Sequence, residues 1–156
     1  KKRPLRRQVI NMILLDTNIL VYAANKDSEF HEIAVKTRDR VINGELQGCV
    51  SLQNLVEFYS VITSPKRIEN PLTPEVSLGE IDKYMKSENI LKVGFSETAL
   101  NILGNLVRKY KIIAQDIYDL KIVATMIANQ ADTIMTVNED DFAKYNEIKV
   151  INPAKT

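Results

Sequence analysis

The sequence predicts an α/β fold in which helices cover both faces of a mostly parallel central sheet, giving a three-layer α/β/α sandwich. Short apolar runs alternate along the chain with longer segments of helical periodicity, an order typical of parallel strands joined by crossover helices. The apolar runs are continuous rather than alternating in polarity, which indicates strands buried on both faces. At 156 residues, one domain with a hydrophobic core is expected.

Five short apolar segments are predicted as strands. The first covers residues 9–15 and ends in the continuous apolar run 12–15, which Asp16 follows at once. The other four end at turn or capping residues, as strands in α/β proteins usually do. They cover residues 47–51, 90–95, 133–137 and 148–151.

Helices are predicted between these strands from apolar periodicity and from capping residues. A short helix follows Asn18, and the later helices have N-caps at Ser51, Thr73 and Ser96. The predicted ranges are 30–42, 51–62, 73–87, 96–110 and 115–129, with a helical turn at 140–145. The helix after Ser96 is predicted to bury one face, formed by Leu100, Leu103, Val107 and Tyr110.

The net charge of +1 conceals an uneven distribution of basic residues. Five of the 21 lysines and arginines lie within residues 1–11, and no acidic residue precedes Asp16. This segment is predicted to be a basic extension, either disordered or paired with the first strand, and Met12 is a candidate natural start. Residues 12–153 are predicted to form the single domain. That domain is mildly acidic, unlike a nucleic-acid binder that relies on a basic face.

Membrane insertion and disulfide bonding are not expected. The longest apolar runs are too short to cross a bilayer. Cys49 is the only cysteine, which excludes an internal disulfide and fits a reducing compartment. The sequence therefore predicts a cytoplasmic protein.

Acidic residues stand next to predicted buried segments at several separate places. Asp16 ends the first strand, Glu57 lies in an otherwise apolar helix, Asp119 begins an apolar stretch, and Asn138 and Asp141 follow a late strand. A carboxylate beside a buried surface is unfavourable unless a partner compensates it. A hard divalent cation with oxygen ligands is such a partner, so one convergent site is predicted.

Each of these residues also has a simpler interpretation. Asp16, followed by Thr17 and Asn18, is either a metal ligand that its neighbours orient or the N-cap of a helix. Glu57 alone fits a solvated helix face. Asp116, three residues before Asp119, fits an acidic residue that favours a helix N-terminus.

The four segments together closely resemble the PIN-domain ribonucleases, in particular the VapC toxins of toxin–antitoxin pairs. Residues 13–20 (ILLDTNIL) resemble the first motif of that family, and residues 51–59 (SLQNLVEFY) resemble its glutamate helix. Residues 119–125 (DLKIVAT) and 136–142 (TVNEDDF) resemble the remaining motifs. Their order and spacing extend over nearly all of residues 12–153.

The resemblance implies a PIN-like domain with a catalytic and metal-binding acidic core. The implied catalytic residues are Asp16, Glu57 and Asp119. The implied Mg²⁺ or Mn²⁺ ligands are these three residues with Asp141. The implied orienting residues are Thr17, Asn18, Asn138 and Asp116. Many relatives carry an aspartate where this chain has Asn138. The fourth ligand, Asn138 or Asp141, is therefore left open.

The resemblance further implies metal-dependent hydrolysis of RNA phosphodiester bonds, a homodimer, and a protein antitoxin that covers the groove. Three alternatives remain at the level of sequence. An aspartate-nucleophile phosphatase usually needs a second aspartate where Asn18 stands. A PIN-like module without catalysis would only bind RNA or a partner. A solitary processing nuclease would have no antitoxin.

Several basic residues are candidate phosphate contacts, although such clusters are often merely solvated. They are Lys66, Arg67, Arg108, Lys109, Lys111 and Lys121. His31 is the only histidine, no nucleophile motif accompanies it, and it is predicted to be a surface residue at a helix start.

Overall fold

A computed structural model describes residues 12–155 of the chain, and the predicted basic extension at residues 1–11 lies outside them. The strands are β1 (Ile13–Leu15), β2 (Gly48–Ser51), β3 (Ile90–Val93), β4 (Thr133–Met135) and β5 (Lys149–Ile151). The α-helices are α1 (Thr17–Ala24), α2 (His31–Ile42), α3 (Leu52–Ile62), α4 (Pro74–Met85), α5 (Glu97–Tyr110) and α6 (Ile117–Ala128). None of these helices is long and apolar enough to cross a bilayer.

All described strands form one parallel sheet in the order β3-β2-β1-β4-β5. In the centre of the sheet, Leu14 pairs with Cys49 of β2 on one side and with Ile134 of β4 on the other. Strand order reverses between β1 and β4. In open α/β sheets, ligands bind in the crevice outside the carboxyl ends of the strands at such a reversal. The topology therefore predicts where a site should lie.

The helices cover both faces of the sheet, which confirms the predicted three-layer sandwich. Ile13 and Leu15 of β1 point into a core shared with α1, α2, α3 and α4. Leu14 points into a second core shared with α5 and α6. Because successive side chains of a strand point to opposite faces, both faces of β1 need apolar residues. The continuous apolar run in the sequence is explained by this arrangement.

The ends of several elements differ from the prediction. The strands are shorter: the one predicted at 90–95 ends at Val93, and the one predicted at 133–137 ends at Met135. The helix predicted from Gln115 begins at Ile117, after a 3₁₀ turn at Ala114–Asp116. The turn predicted at 140–145 is a 3₁₀ turn at Glu139–Asp141. Element ends are poorly fixed by periodicity alone, because local propensity changes gradually along the chain.

Two predictions for individual residues are wrong. Ser51 precedes α3, but its side chain makes no capping hydrogen bond, since it is buried at the end of β2. Thr73 and Ser96 do cap their helices, as predicted. Leu100 is 55% exposed. The residues that α5 buries are Ala99, Leu103 and Leu106, so the buried stripe runs through a small alanine rather than through the larger leucine.

Candidate active site

A cleft of about 370 Å³ opens at the carboxyl ends of β1 and β4, where the sheet topology places a ligand site. All of the residues that the sequence predicted for the site line this cleft, with the exception of Asp116. They are Asp16, Thr17, Asn18, Glu57, Asp119, Asn138 and Asp141. The four carboxylates come from the end of β1, from α3, from the first turn of α6 and from the loop after β4.

Asp16 is the buried carboxylate of the cleft, with 7% of its surface exposed. Its Oδ1 accepts a hydrogen bond from the backbone N–H of Thr17 at 2.9 Å. Its Oδ2 accepts from the Asn18 Nδ2 at 3.2 Å and from the Thr136 Oγ1 at 2.9 Å. Burial raises the pKa of Asp16 to about 6, although the hydrogen bonds from Thr136 and Thr17 oppose the increase. The charges of Glu57 and Asp119 raise it further. Asp16 is thus both the N-cap of α1 and a buried acid that has no positive partner within residues 12–155.

Asn18 and Thr136 join the ends of the two central strands. The Asn18 Nδ2 donates to the Thr136 Oγ1 at 2.9 Å, and its Oδ1 accepts from the backbone N–H of Val137 at 3.3 Å. Thr136 is fully buried and also accepts from the backbone N–H of Asn138 at 3.0 Å. One threonine hydroxyl therefore contacts Asp16, Asn18 and Asn138. Thr136 was not among the site residues predicted from the sequence, although it is the first residue of the motif at 136–142.

Glu57 is exposed and lies across the cleft on α3. Its Oε2 accepts a hydrogen bond from the Thr17 Oγ1 at 3.3 Å, and its other oxygen has no hydrogen bond to the described residues. Asn54, one turn earlier on the same helix, is 3% exposed, and the NH₂ group of its amide has no partner among those residues. An unsatisfied buried donor is unfavourable by about 1–3 kcal/mol. Because Asn54 lines the cleft, water or a bound ligand is the available partner.

Asp119 lies in the first turn of α6 and is half-buried. Burial raises its pKa above the ordinary range, and the nearby charges of Asp141, Asp116 and Glu57 add to the increase, while that of Lys144 opposes it. Asp116 is exposed at the start of α6 and acts on the cleft only through its charge. Neighbouring carboxylates thus contribute to the raised pKa of both Asp16 and Asp119, which indicates a region of negative potential.

Asn138 and Asp141 are held by a loop that the end of the chain supports. The side-chain amide of Asn152 donates to Glu139 at 3.0 Å, and the Lys155 ammonium lies 2.7 Å from the same carboxylate. The Asp141 backbone N–H donates to the Asn138 carbonyl at 3.2 Å. Both side chains are exposed and both line the cleft, so the identity of the fourth ligand stays a prediction.

The oxygen atoms of the cleft fit a hydrated hard cation rather than a closed protein cage. In the range 12–155, no group of three acidic, histidine or cysteine side chains is close enough to enclose a metal ion directly. Mg²⁺ retains several waters and is commonly held by one or two carboxylates. A buried Asp16 with a raised pKa is the kind of ligand that a cation would relieve of its electrostatic penalty.

Two of the candidate basic residues, Arg67 and Lys121, line the cleft. Lys66, Arg108, Lys109 and Lys111 do not. His31 lies at the start of α2, half-buried, with its Nδ1 2.9 Å from the carbonyl oxygen of Tyr22 and outside the cleft. Cys49 is fully buried in β2. Neither residue is placed to act as a nucleophile or base in the cleft.

The fold and the cleft together define a three-layer α/β protein with an acidic site at the strand-order reversal of its sheet. The sequence model of the PIN domain matches residues 13–148, and the chain belongs to the PIN-domain family. This membership gives no support to the phosphatase alternative.

Relatives and solved structures match over almost the whole domain. Ribonuclease VapC48 of Mycobacterium tuberculosis is 24% identical over 138 residues, covering 88% of this chain and 94% of that protein. The structure of VapBC2 from Rickettsia felis, bound to a DNA fragment from its promoter, has a TM-score of 0.62 at 23% identity, over 90% of this chain and 98% of that one. A toxin–antitoxin complex from Klebsiella pneumoniae has a TM-score of 0.58 at 20% identity, over 90% of this chain and 97% of that one.

Proposed function

We propose that this protein is a Mg²⁺- or Mn²⁺-dependent endoribonuclease and the toxin of a toxin–antitoxin pair. The observation that carries the proposal is the convergence of Asp16, Glu57, Asp119 and Asp141 on one cleft in a chain of the PIN-domain family. A relative that matches over most of the domain is named a ribonuclease. Four carboxylates alone would repel a phosphodiester, so the site needs a cation before it can bind RNA.

The residues that would hold the ion, directly or through the waters that it retains, are the catalytic acids Asp16, Glu57 and Asp119, with Asp141 as a further ligand and Asn138 nearby. When bound, the ion supplies positive charge for the scissile phosphate and makes water more acidic. Asp16 is fixed by its hydrogen bonds to Thr17, Asn18 and Thr136 and therefore provides a ligand in one orientation.

Glu57 is suited to a different task from Asp16. It is exposed, and the Thr17 hydroxyl restrains only one of its oxygens. The other oxygen is available to orient the attacking water and to accept its proton. Asp119, on the opposite helix α6, faces the same space. Because the cleft is open to solvent, a flexible single-stranded or looped RNA can bring its backbone to these groups.

A protein antitoxin is the proposed partner, since similar structures include a toxin–antitoxin complex. A homodimer and a cytoplasmic location complete the proposal. The homodimer rests on the family resemblance, and the location on the single cysteine, which fits a reducing compartment. Equilibrium sedimentation of the purified protein would measure the oligomeric state, and a monomer at micromolar concentration would contradict the dimer.

Cleavage of a mixed RNA pool by purified, antitoxin-free protein tests the activity. We expect cutting with Mg²⁺ or Mn²⁺, and none with EDTA or in Asp119→Asn. The matched control is Asp140→Asn, because Asp140 is an exposed acid beside the site that does not line the cleft. Cleavage that persists in EDTA or in Asp119→Asn would contradict the proposal. The absence of cutting, together with no metal-dependent rise in melting temperature, would favour a module that only binds.

A further inference from the structure

Two positively charged side chains line the acidic cleft without being paired to its carboxylates. Arg67 and Lys121 both border the cleft. Among residues 12–155, none of the ion pairs includes either of them, and neither side chain donates a hydrogen bond to the protein. Their charges are therefore not used to neutralise Asp16, Glu57, Asp119 or Asp141, and they are available to a ligand.

Lys121 is held in place by an aromatic contact instead of an acid. Its ammonium nitrogen lies 4.9 Å from the centroid of the Phe95 ring, a cation–π distance. Lys121 is half-buried, and its neighbour Leu120 is fully buried in the core beneath α6. The position of this charge at the edge of the cleft is thus set by packing, while the ammonium retains all of its hydrogen-bond donors.

Arg67 lies in an ordered turn after α3. Its backbone N–H donates to the carbonyl of Ser64 at 3.1 Å, and that of Ile68 donates to the same carbonyl at 3.0 Å. Ile68 is 6% exposed and packs into the core on the other face of the sheet. The backbone is therefore fixed, and the exposed guanidinium extends from it toward the cleft.

The two charges approach the cleft from opposite faces of the sheet. Arg67 is attached to the α1–α4 side through Ile68, and Lys121 to the α5–α6 side through Leu120. Asp16 directly follows β1 in the sheet itself, between the two layers of helices to which Arg67 and Lys121 are attached. A ligand that matches this order has a negative charge on each side of the group bound at the acidic centre. A nucleic acid backbone, with one phosphate per nucleotide, has this pattern.

We propose that Arg67 and Lys121 bind the phosphates that flank the scissile phosphate of a single-stranded RNA, one on each side. The inference rests on the proposed ribonuclease function and adds to it the way in which the substrate lies across the cleft. Arg67 presents a planar fork suited to two phosphate oxygens, and Lys121 presents a point charge. Neither side chain acts on the reacting atoms, so both should govern substrate binding rather than the chemical step.

The test is the salt dependence of cleavage of a short labelled single-stranded RNA at saturating Mg²⁺ or Mn²⁺. Arg67→Gln and Lys121→Gln are each expected to raise KM about tenfold with kcat unchanged. The slope of log(kcat/KM) against log[KCl] should become shallower by about 0.7 for each phosphate that is no longer bound. Lys66→Gln is the matched control, because Lys66 is adjacent, exposed and outside the cleft.

Arg67→Lys and Lys121→Arg keep the charge and should retain the wild-type salt slope, which separates a charge contact from a packing effect. The inference would be overturned if Arg67→Gln and Lys121→Gln had the same salt slope as Lys66→Gln. The proposed ribonuclease function would not be affected by that result. A fall in kcat at constant KM would overturn it too, since the residues would then act on the chemical step. Wild-type protein that neither binds nor cuts any RNA would instead overturn the proposed function, and the inference with it.

Discussion

Replacement of Asp16 by asparagine should stabilise the metal-free protein at neutral pH while abolishing cleavage. Asp16 is almost fully buried and has no positively charged partner in the part of the chain that the structure describes. Three hydrogen bonds hold it, yet its pKa is raised from 3.8 to about 6, chiefly by burial. The ionised carboxylate therefore destabilises the folded state, and the amide of asparagine removes that charge.

The size of the effect follows from the pKa. Each pKa unit corresponds to about 1.4 kcal/mol, so ionised Asp16 lowers the free energy of unfolding by about 3 kcal/mol at neutral pH. Asparagine can still accept from the Thr17 N–H, but its NH₂ group cannot accept from the Asn18 amide or from the Thr136 hydroxyl, as the carboxylate does. Each of these two lost hydrogen bonds is unfavourable by about 1 kcal/mol. A net stabilisation of about 1 kcal/mol is expected.

The sign of the pH dependence gives a second test. The pKa of Asp16 is higher in the folded state than in the unfolded chain, so the folded protein keeps the Asp16 proton between pH 3.8 and about pH 6. The contribution of Asp16 to stability is therefore greatest below pH 3.8 and falls as the pH rises through that interval. The advantage of Asp16→Asn should be present at neutral pH and disappear near pH 4.

Urea denaturation in EDTA at both pH values measures these differences. Addition of Mg²⁺ or Mn²⁺ at neutral pH should then stabilise the wild type, by about 2.7 kcal/mol at a hundredfold excess over Kd, and should have little effect on Asp16→Asn. The reasoning from burial would be refuted if Asp16→Asn were less stable than the wild type at neutral pH. It would also be refuted if the difference in stability between the two proteins did not change with pH. Equal stabilisation of both proteins by metal would remove Asp16 from the ligand set.

Two further predictions concern the loop after β4. Thr136→Val should lower the free energy of unfolding by about 1–3 kcal/mol and reduce kcat, because one buried hydroxyl positions Asp16, Asn18 and Asn138. Denaturation and RNA-cleavage assays measure the two effects, and a kcat equal to that of the wild type would contradict the prediction. Asn138→Asp should tighten Mg²⁺ or Mn²⁺ binding about tenfold in calorimetry, since an exposed carboxylate there adds charge at little desolvation penalty. An unchanged Kd would mean that residue 138 does not face the ion.

The strands and the positions of the acids were largely predictable from sequence because they depend on local patterns. A continuous apolar run indicates a strand buried on both faces, and β1 has this environment. The carboxyl ends of parallel strands lie at one edge of a sheet, so Asp16 and Asn138 could be expected to meet there. The cleft brings both together with Glu57 and Asp119.

Other features depend on interactions between distant segments and could not be read from the sequence. Thr136 contacts Asp16 across 120 positions of the chain because β1 and β4 are neighbours in the sheet, and periodicity carries no information on strand order. The position of Arg67 depends on the turn after α3. Helical spacing predicts Leu100 on the same buried face as Leu103 and Val107, but α5 is rotated so that it buries Ala99, Leu103 and Leu106 instead, and this rotation depends on packing against the rest of the fold.

The same sheet order that creates the crevice also explains why the site is electrostatically unfavourable without a ligand. Side by side, β1 and β4 place Asp16 against Thr136 and the loop that carries Asp141, while α3 and α6 bring Glu57 and Asp119 from opposite faces. The charges of neighbouring carboxylates add to the raised pKa of Asp16 and to that of Asp119. A cation bound as we propose would release this unfavourable energy, and part of the stability of the fold would then be linked to occupancy of the site. Measurement of the unfolding free energy with and without metal would therefore detect the site even on a protein whose RNA target is unknown.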